Sequence, residues 1–204
     1  MVVPLFVGVT LMPRPTPATV QAQRARLPPP AKECDDPVEG IWRSHAFNEM
    51  WQEWNVFTLT VRRVKGGNEL TGSVTNQAWY GPDTETARGP CEGRLQYLVS
   101  MDGKGRVVGN EIAFGGTGEW RLDQVYCSQF TGGYNLDQFK GTIDPEILEF
   151  QSVNNDGGRF VNVPTVFRRV KCLEQTDEED EGPAVSVAPP PFYPPQEGGC
   201  SCNP

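Results

Sequence analysis

A single histidine, His45, serves the whole 204-residue chain, and no Cys-x-x-Cys pair occurs in its central region. A zinc site of mixed ligands would have to be built around that one imidazole, so no metal or other cofactor is expected. Cations are scarce as well: 18 Lys and Arg face 26 Asp and Glu, for a formal net charge of −8. Affinity for phosphate backbones comes from clustered Lys and Arg, which sets nucleic acid aside as a partner. No apolar run approaches the ~20 residues that cross a bilayer, so no transmembrane segment is expected. Gly66-Gly67, Gly115-Gly116, Gly132-Gly133 and Gly157-Gly158 read as hairpin turns, because no helical pattern follows them to cradle a phosphate. No Ser or Cys sits in a nucleophile motif, and His45 falls on the strand face opposite Trp42, where it reads as solvent-facing. The carboxylates Glu119 with Asp123, and Glu146 with Glu149, read as solvated strand positions rather than an acid–base pair. The expectation is a protein that is not an enzyme.

What the chain does have is alternation. Phe57, Leu59 and Val61 alternate with Thr58, Thr60 and Arg62, and the return 69–76 follows across Lys65-Gly66-Gly67-Asn68, a sequence suited to a tight reversal. The same period of two recurs up to Val170, predicting nine strands over 37–47, 54–64, 69–76, 91–101, 106–114, 119–127, 134–143, 146–153 and 159–170. Asp102-Gly103-Lys104-Gly105 and Gly115-Gly116-Thr117-Gly118 are read as turns between them. Pro164 cannot donate to a ladder and is expected at a bulge or an unpaired edge. Connections too short for crossover helices force antiparallel neighbours. The predicted fold is all-β, an antiparallel up-and-down barrel with a β-sandwich as the alternative, carrying disordered Pro-rich N- and C-terminal tails.

Composition divides the chain. Residues 1–22 resemble a signal peptide, with an apolar run over 1–12 and Val20-Gln21-Ala22 as a small-residue cleavage site, although no charged n-region precedes it. Residues 23–33 form a Pro-rich linker within a stretch, 13–33, that is read as an extended spacer. The barrel domain occupies 34–172. Residues 173–204 are acidic, then Pro-rich, and end in Cys200-Ser201-Cys202. Cys34 and Cys172 bracket the β region while Cys91 and Cys127 lie within it, an even count that favours an oxidising compartment, secreted or periplasmic. The pairing expected is Cys34 with Cys172 and Cys91 with Cys127, one of three that four cysteines permit.

Gly40-Ile41-Trp42 on the first strand and Phe167-Arg168-Arg169 on the last resemble the two ends of a lipocalin-like, calycin-type β-barrel. The resemblance implies that the Trp42 indole packs against a basic side chain of the final strand to close the barrel floor, and strand parity selects Arg169 for that stacking. Avidin-like barrels also begin with Gly-x-Trp and carry a Leu-Thr-Gly, as Leu70-Thr71-Gly72 does here. No helical pattern follows the last strand, a departure from the lipocalins.

The inward faces, which by parity include Tyr97, Val99, Trp120, Leu122 and Tyr126, make either a packed core or an apolar cavity. Trp79, Tyr97, Trp120 and Tyr126 are the aromatics expected to contact a ligand, and a small apolar molecule is the partner they suggest. A lumen above ~300 Å³ would favour a small-ligand-binding or interaction module. A filled one would favour a structural envelope or extracellular scaffold. The Pro-rich tail, with Phe192 and Tyr193 between prolines, is a second candidate contact, toward a protein partner.

Overall fold

The computed structural model describes residues 17–32, 34–92 and 94–173. One helix and nine strands follow in order: α1 (Pro17–Arg26), β1 (Gly40–Arg43), β2 (Ala46–Asn48), β3 (Glu53–Arg63), β4 (Glu69–Tyr80), β5 (Gln96–Val108), β6 (Glu111–Tyr126), β7 (Gln138–Asp144), β8 (Glu149–Asn155) and β9 (Val161–Lys171). Each strand from β3 to β9 pairs antiparallel with the next, and β1 pairs with both β9 and β3. The sheet therefore closes into an eight-stranded barrel, with β2 as the extra strand. β1 and β2 lie in one register along β3, from Gly40 opposite Val61 to Asn48 opposite Glu53. Ser44 bridges them: its amide donates to the Phe57 carbonyl at 2.9 Å, and its hydroxyl accepts from the Phe57 amide at 3.2 Å.

Two of the expected turns are not turns. Residues 102–105 lie within β5 and residues 115–118 within β6, so three predicted strands are two long ones, while the first predicted strand is split into β1 and β2. The glycines there make room inside the barrel. A Cβ on Gly103 would lie 2.5 Å from the Phe114 ring, and one on Gly105 would lie 2.8 Å from the Phe114 Cα. A side chain on Gly116 would strike Met101.

Residues of one parity fill the lower barrel: Trp42, Phe57, Leu59, Leu70, Val74, Met101, Phe114, Phe139, Phe150 and Phe167 are all buried in one cluster. The floor closes as the resemblance implied. Trp42 and Arg169 are cross-strand partners, the guanidinium lies 5.7 Å from the indole centroid, and Arg169 donates to the Asp36 carbonyl at 2.6 Å. Gly40 sits at φ +150, where a Cβ would meet the Arg169 side chain at 2.7 Å. Disulfides join Cys34 to Cys172 at this end and Cys91 to Cys127 at the other.

The stretch read as an extended spacer contains α1. Pro17 stands at the first helical position, Ala, Gln and Arg supply good helix formers, and Pro28-Pro29-Pro30 stops the helix after Leu27. Ten residues are too few to hold a helix alone, so docking supplies the stability. β9 outruns β1, leaving an edge beside residues 164–166. The Gln23 side chain occupies it, donating to the Pro164 carbonyl at 2.9 Å and accepting from the Val166 amide at 2.8 Å. Glu149, almost fully buried, is clamped between Arg24 at 2.7 Å and Arg168 at 2.8 Å. Among the described residues no helix is long and apolar enough to cross a membrane. The apolar run over 1–12, the first spacer residues 13–16, the acidic run, the Pro-rich tail with Phe192 and Tyr193, and Cys200 with Cys202 lie outside the described residues.

Candidate functional site

Above the apolar half the interior turns polar. The inward parity of β3 continues from Phe57 to Asn55 and Glu53, that of β4 from Val74 to Asn76 and Tyr80, and that of β8 from Phe150 to Asn154. Glu53 and Asn76 are fully buried, and Asn55 and Asn154 are nearly so. A carboxylate or amide placed there needs partners, because an unpaired one costs about 1–3 kcal/mol. Asn76 Nδ2 donates to Asn55 Oδ1 at 2.8 Å and to the Tyr134 hydroxyl at 3.0 Å. Tyr134 donates to Asp137 Oδ2 at 2.5 Å, and Asn154 Nδ2 donates to Asp137 Oδ1 at 2.6 Å. Tyr134 arrives from the loop between β6 and β7 and lies across the top of the apolar core.

A second group centres on Glu53. The Tyr97 hydroxyl donates to its Oε1 at 3.1 Å, and Arg159 Nη2 lies 3.0 Å from its Oε2, an ion pair without hydrogen-bond alignment. Arg159 Nη1 donates to the Tyr80 hydroxyl at 2.9 Å, and its guanidinium stacks 4.2 Å over the half-exposed Trp51 ring.

These groups underlie an open cavity of about 210 Å³ lined by Tyr80, Leu95, Tyr97, residues 130–135, Asp156, Arg159 and Phe160. Its walls are rings: Tyr97 stands 5.1 Å from Phe130 and 6.3 Å from Tyr134, both edge-on. Trp120 backs Phe130 at 5.8 Å and Tyr134 at 6.0 Å. The rim is stapled by Cys91–Cys127, which ties the β4–β5 connection to the start of the β6–β7 connection.

Burial sets the protonation states. It pushes Asp137 up to about 7, against the Tyr134 and Asn154 hydrogen bonds that hold it down, with Asp156 and Glu53 adding to the rise. Burial also raises Glu53, with Arg159 and its hydroxyl partners opposing. Tyr97 and Tyr134 are driven above the usual phenol value, first by burial and then by the neighbouring carboxylates, and stay neutral. Both Asp137 oxygens accept hydrogen bonds, and Glu53 is fully buried behind Tyr97 and Arg159. The arrangement can orient and hold a ligand.

Of the aromatics named from sequence, Tyr97 lines the cavity and Trp120 supports its wall. Trp79 points out of the barrel into a separate cluster with Trp54, Val56 and Phe47. Tyr126 shares the outer face of Gln96, because an extra residue bulges β6 between Leu122, opposite Val99, and Gln124, opposite Leu98. Arg88 stacks on its ring at 4.1 Å. Leu122 is 40% exposed, since β6 beyond Gly115 has no strand on its β7 side. His45 is not solvent-facing: it is half-buried outside the barrel, edge-on to Trp54 at 5.1 Å and Trp79 at 5.9 Å. Burial, with Arg26 and Arg43 nearby, depresses it to about 4. Among the described residues no group of three or more His, Cys, Asp and Glu is placed to hold a metal ion.

Asn55 and Asn76 were legible as polar residues on the core parity of their predicted strands, whereas Glu53, Tyr80 and Asn154 fall just beyond the predicted strand ends, which the strands themselves overrun. Tyr134, Asp137 and Arg159 come from connections, where alternation carries no signal. Comparison with protein-family models, curated proteins and solved structures finds no match.

Proposed function

We propose that this protein is an exported binding protein that holds a small ring-bearing molecule at the open end of its barrel. The observation that carries the reading is the cavity of about 210 Å³ walled by Tyr97, Phe130, Tyr134 and Phe160 over a buried polar network. Such a combination of flat apolar walls and a few convergent polar groups is how small-molecule sites are built. Two disulfides support an oxidising compartment. At about 210 Å³ the cavity falls short of the ~300 Å³ lumen that would favour ligand binding on size alone, which limits an occupant to one ring. Phe57, Phe139, Phe150 and Phe167 pack the lower barrel solid, which confines a ligand inside the barrel to its open end. That solid core is the observation favouring the second reading, a scaffold.

Native mass spectrometry of the protein purified from its own host separates the two. A bound small mass is expected, and it should vanish in Gly132→Trp, a change at a lining position with open space around it. A protein that carries no ligand and gains none from small-molecule extracts of that host is a scaffold.

A further inference from the structure

Resting on that reading, the hydrogen-bond directions in the cavity define the chemistry of its occupant. Tyr97, which lines the cavity, spends its one proton on Glu53, so its phenolic oxygen has only acceptor capacity left. Tyr134 is already filled from within, giving its proton to Asp137 and accepting from Asn76, so it offers the cavity its ring alone. Tyr80 accepts from Arg159. The carboxylate beneath Tyr97 thus draws its proton inward and leaves one acceptor beside the cavity. Arg159, Asn135 and Thr131 add donors on the same wall. A group that both donates and accepts, the hydroxyl, satisfies such a mixed lining.

Charge narrows the class. An ammonium would face the Arg159 guanidinium, and an anion would face Asp156 with Glu53 behind it. Arg159 is itself neutralised by Glu53 at 3.0 Å, which removes the free cation an anionic ligand would seek. The edge-on rings Tyr97, Phe130 and Tyr134 offer faces to C–H groups. We propose that the site takes a single neutral polyhydroxylated ring, a monosaccharide unit.

The test titrates the full chain with glucose, galactose, mannose and N-acetylglucosamine, and in parallel with benzylamine and benzoate as charged rings of similar size, read by saturation-transfer NMR and calorimetry. At least one sugar should bind at a single site while both charged rings do not. Tyr97→Phe should weaken that binding about tenfold, the loss of one hydrogen bond. Thr131→Val, at an exposed rim position that poses no folding risk, should weaken it severalfold, and Tyr126→Phe, outside the barrel, should leave it unchanged. Binding of benzylamine or benzoate without any sugar, abolished by Gly132→Trp, would overturn the sugar assignment and leave the cavity as a ligand site. Failure of every probe overturns the assignment, and the host-purified protein then decides whether the cavity binds anything.

Discussion

Replacing Asp137 by asparagine should remove most of the stability that this protein gains on mild acidification. Asp137 is 1% exposed and pushed up to about 7, against an unfolded value of 3.8. Between those values the folded chain holds a proton that the unfolded chain has released. Stability contributed by this carboxyl is therefore complete below about pH 3.8, falls as pH rises toward 7, and is gone above it. At ~1.4 kcal/mol per pH unit, the step from pH 7.5 to pH 5 amounts to about 2.5 kcal/mol. Glu53, also raised, acts in the same direction. The asparagine keeps a carbonyl for the Asn154 amide and puts its own amide against the Tyr134 hydroxyl, a cost that is the same at every pH and shifts the whole curve without changing its slope. Urea unfolding followed by tryptophan fluorescence, repeated at intervals from pH 7.5 to pH 5, gives the difference between wild type and D137N. That difference should grow toward acid by about 2.5 kcal/mol in favour of the wild type. Parallel curves would refute the claim that folding buries this carboxyl among too few compensating donors.

His45→Gln should act in the opposite sense. Its imidazole is held down to about 4, so the unfolded chain takes up a proton first as pH falls through 6.5 and stability is lost. The half-buried ring is partly screened, so about 1 kcal/mol of acid sensitivity between pH 6.5 and 5 should disappear in the variant's urea curves. Gln23→Ala strands the Pro164 carbonyl and the Val166 amide and should cost about 2 kcal/mol in the same assay at pH 7. An unchanged midpoint would mean that α1 does not seal the β9 edge. Replacing Cys91 and Cys127 together by serine opens a link of sequence separation 36 and should cost at most about 4 kcal/mol, with binding at the rim weakened more than global stability.

The barrel was legible wherever one parity is oily and the other polar, as in Phe57, Leu59 and Val61 against Thr58, Thr60 and Arg62. It was misread where glycine served space rather than reversal: Gly103 and Gly116 are cross-strand partners, not turn residues. Trp79 lies out of phase with Leu70 and Val74, so its outward direction was available from the sequence. Tyr126 was not, since a bulge is invisible to alternation. Gln23 fell in a segment whose composition suggested a spacer, and nothing in the letters Val20-Gln21-Ala22-Gln23 reveals that one amide will stand in for a strand.

That substitution has a bearing on how the molecule is made. The bonds from Gln23 to residues 164 and 166 span more than 140 positions, and the Cys34–Cys172 link spans 138. During synthesis, residue 23 precedes Pro164 and Val166 by 141 and 143 positions, so β1 to β8 are made before its mates appear. The seam cannot close until β9 has been made, and a nascent chain stalled before Val166 holds α1 without the edge it seals.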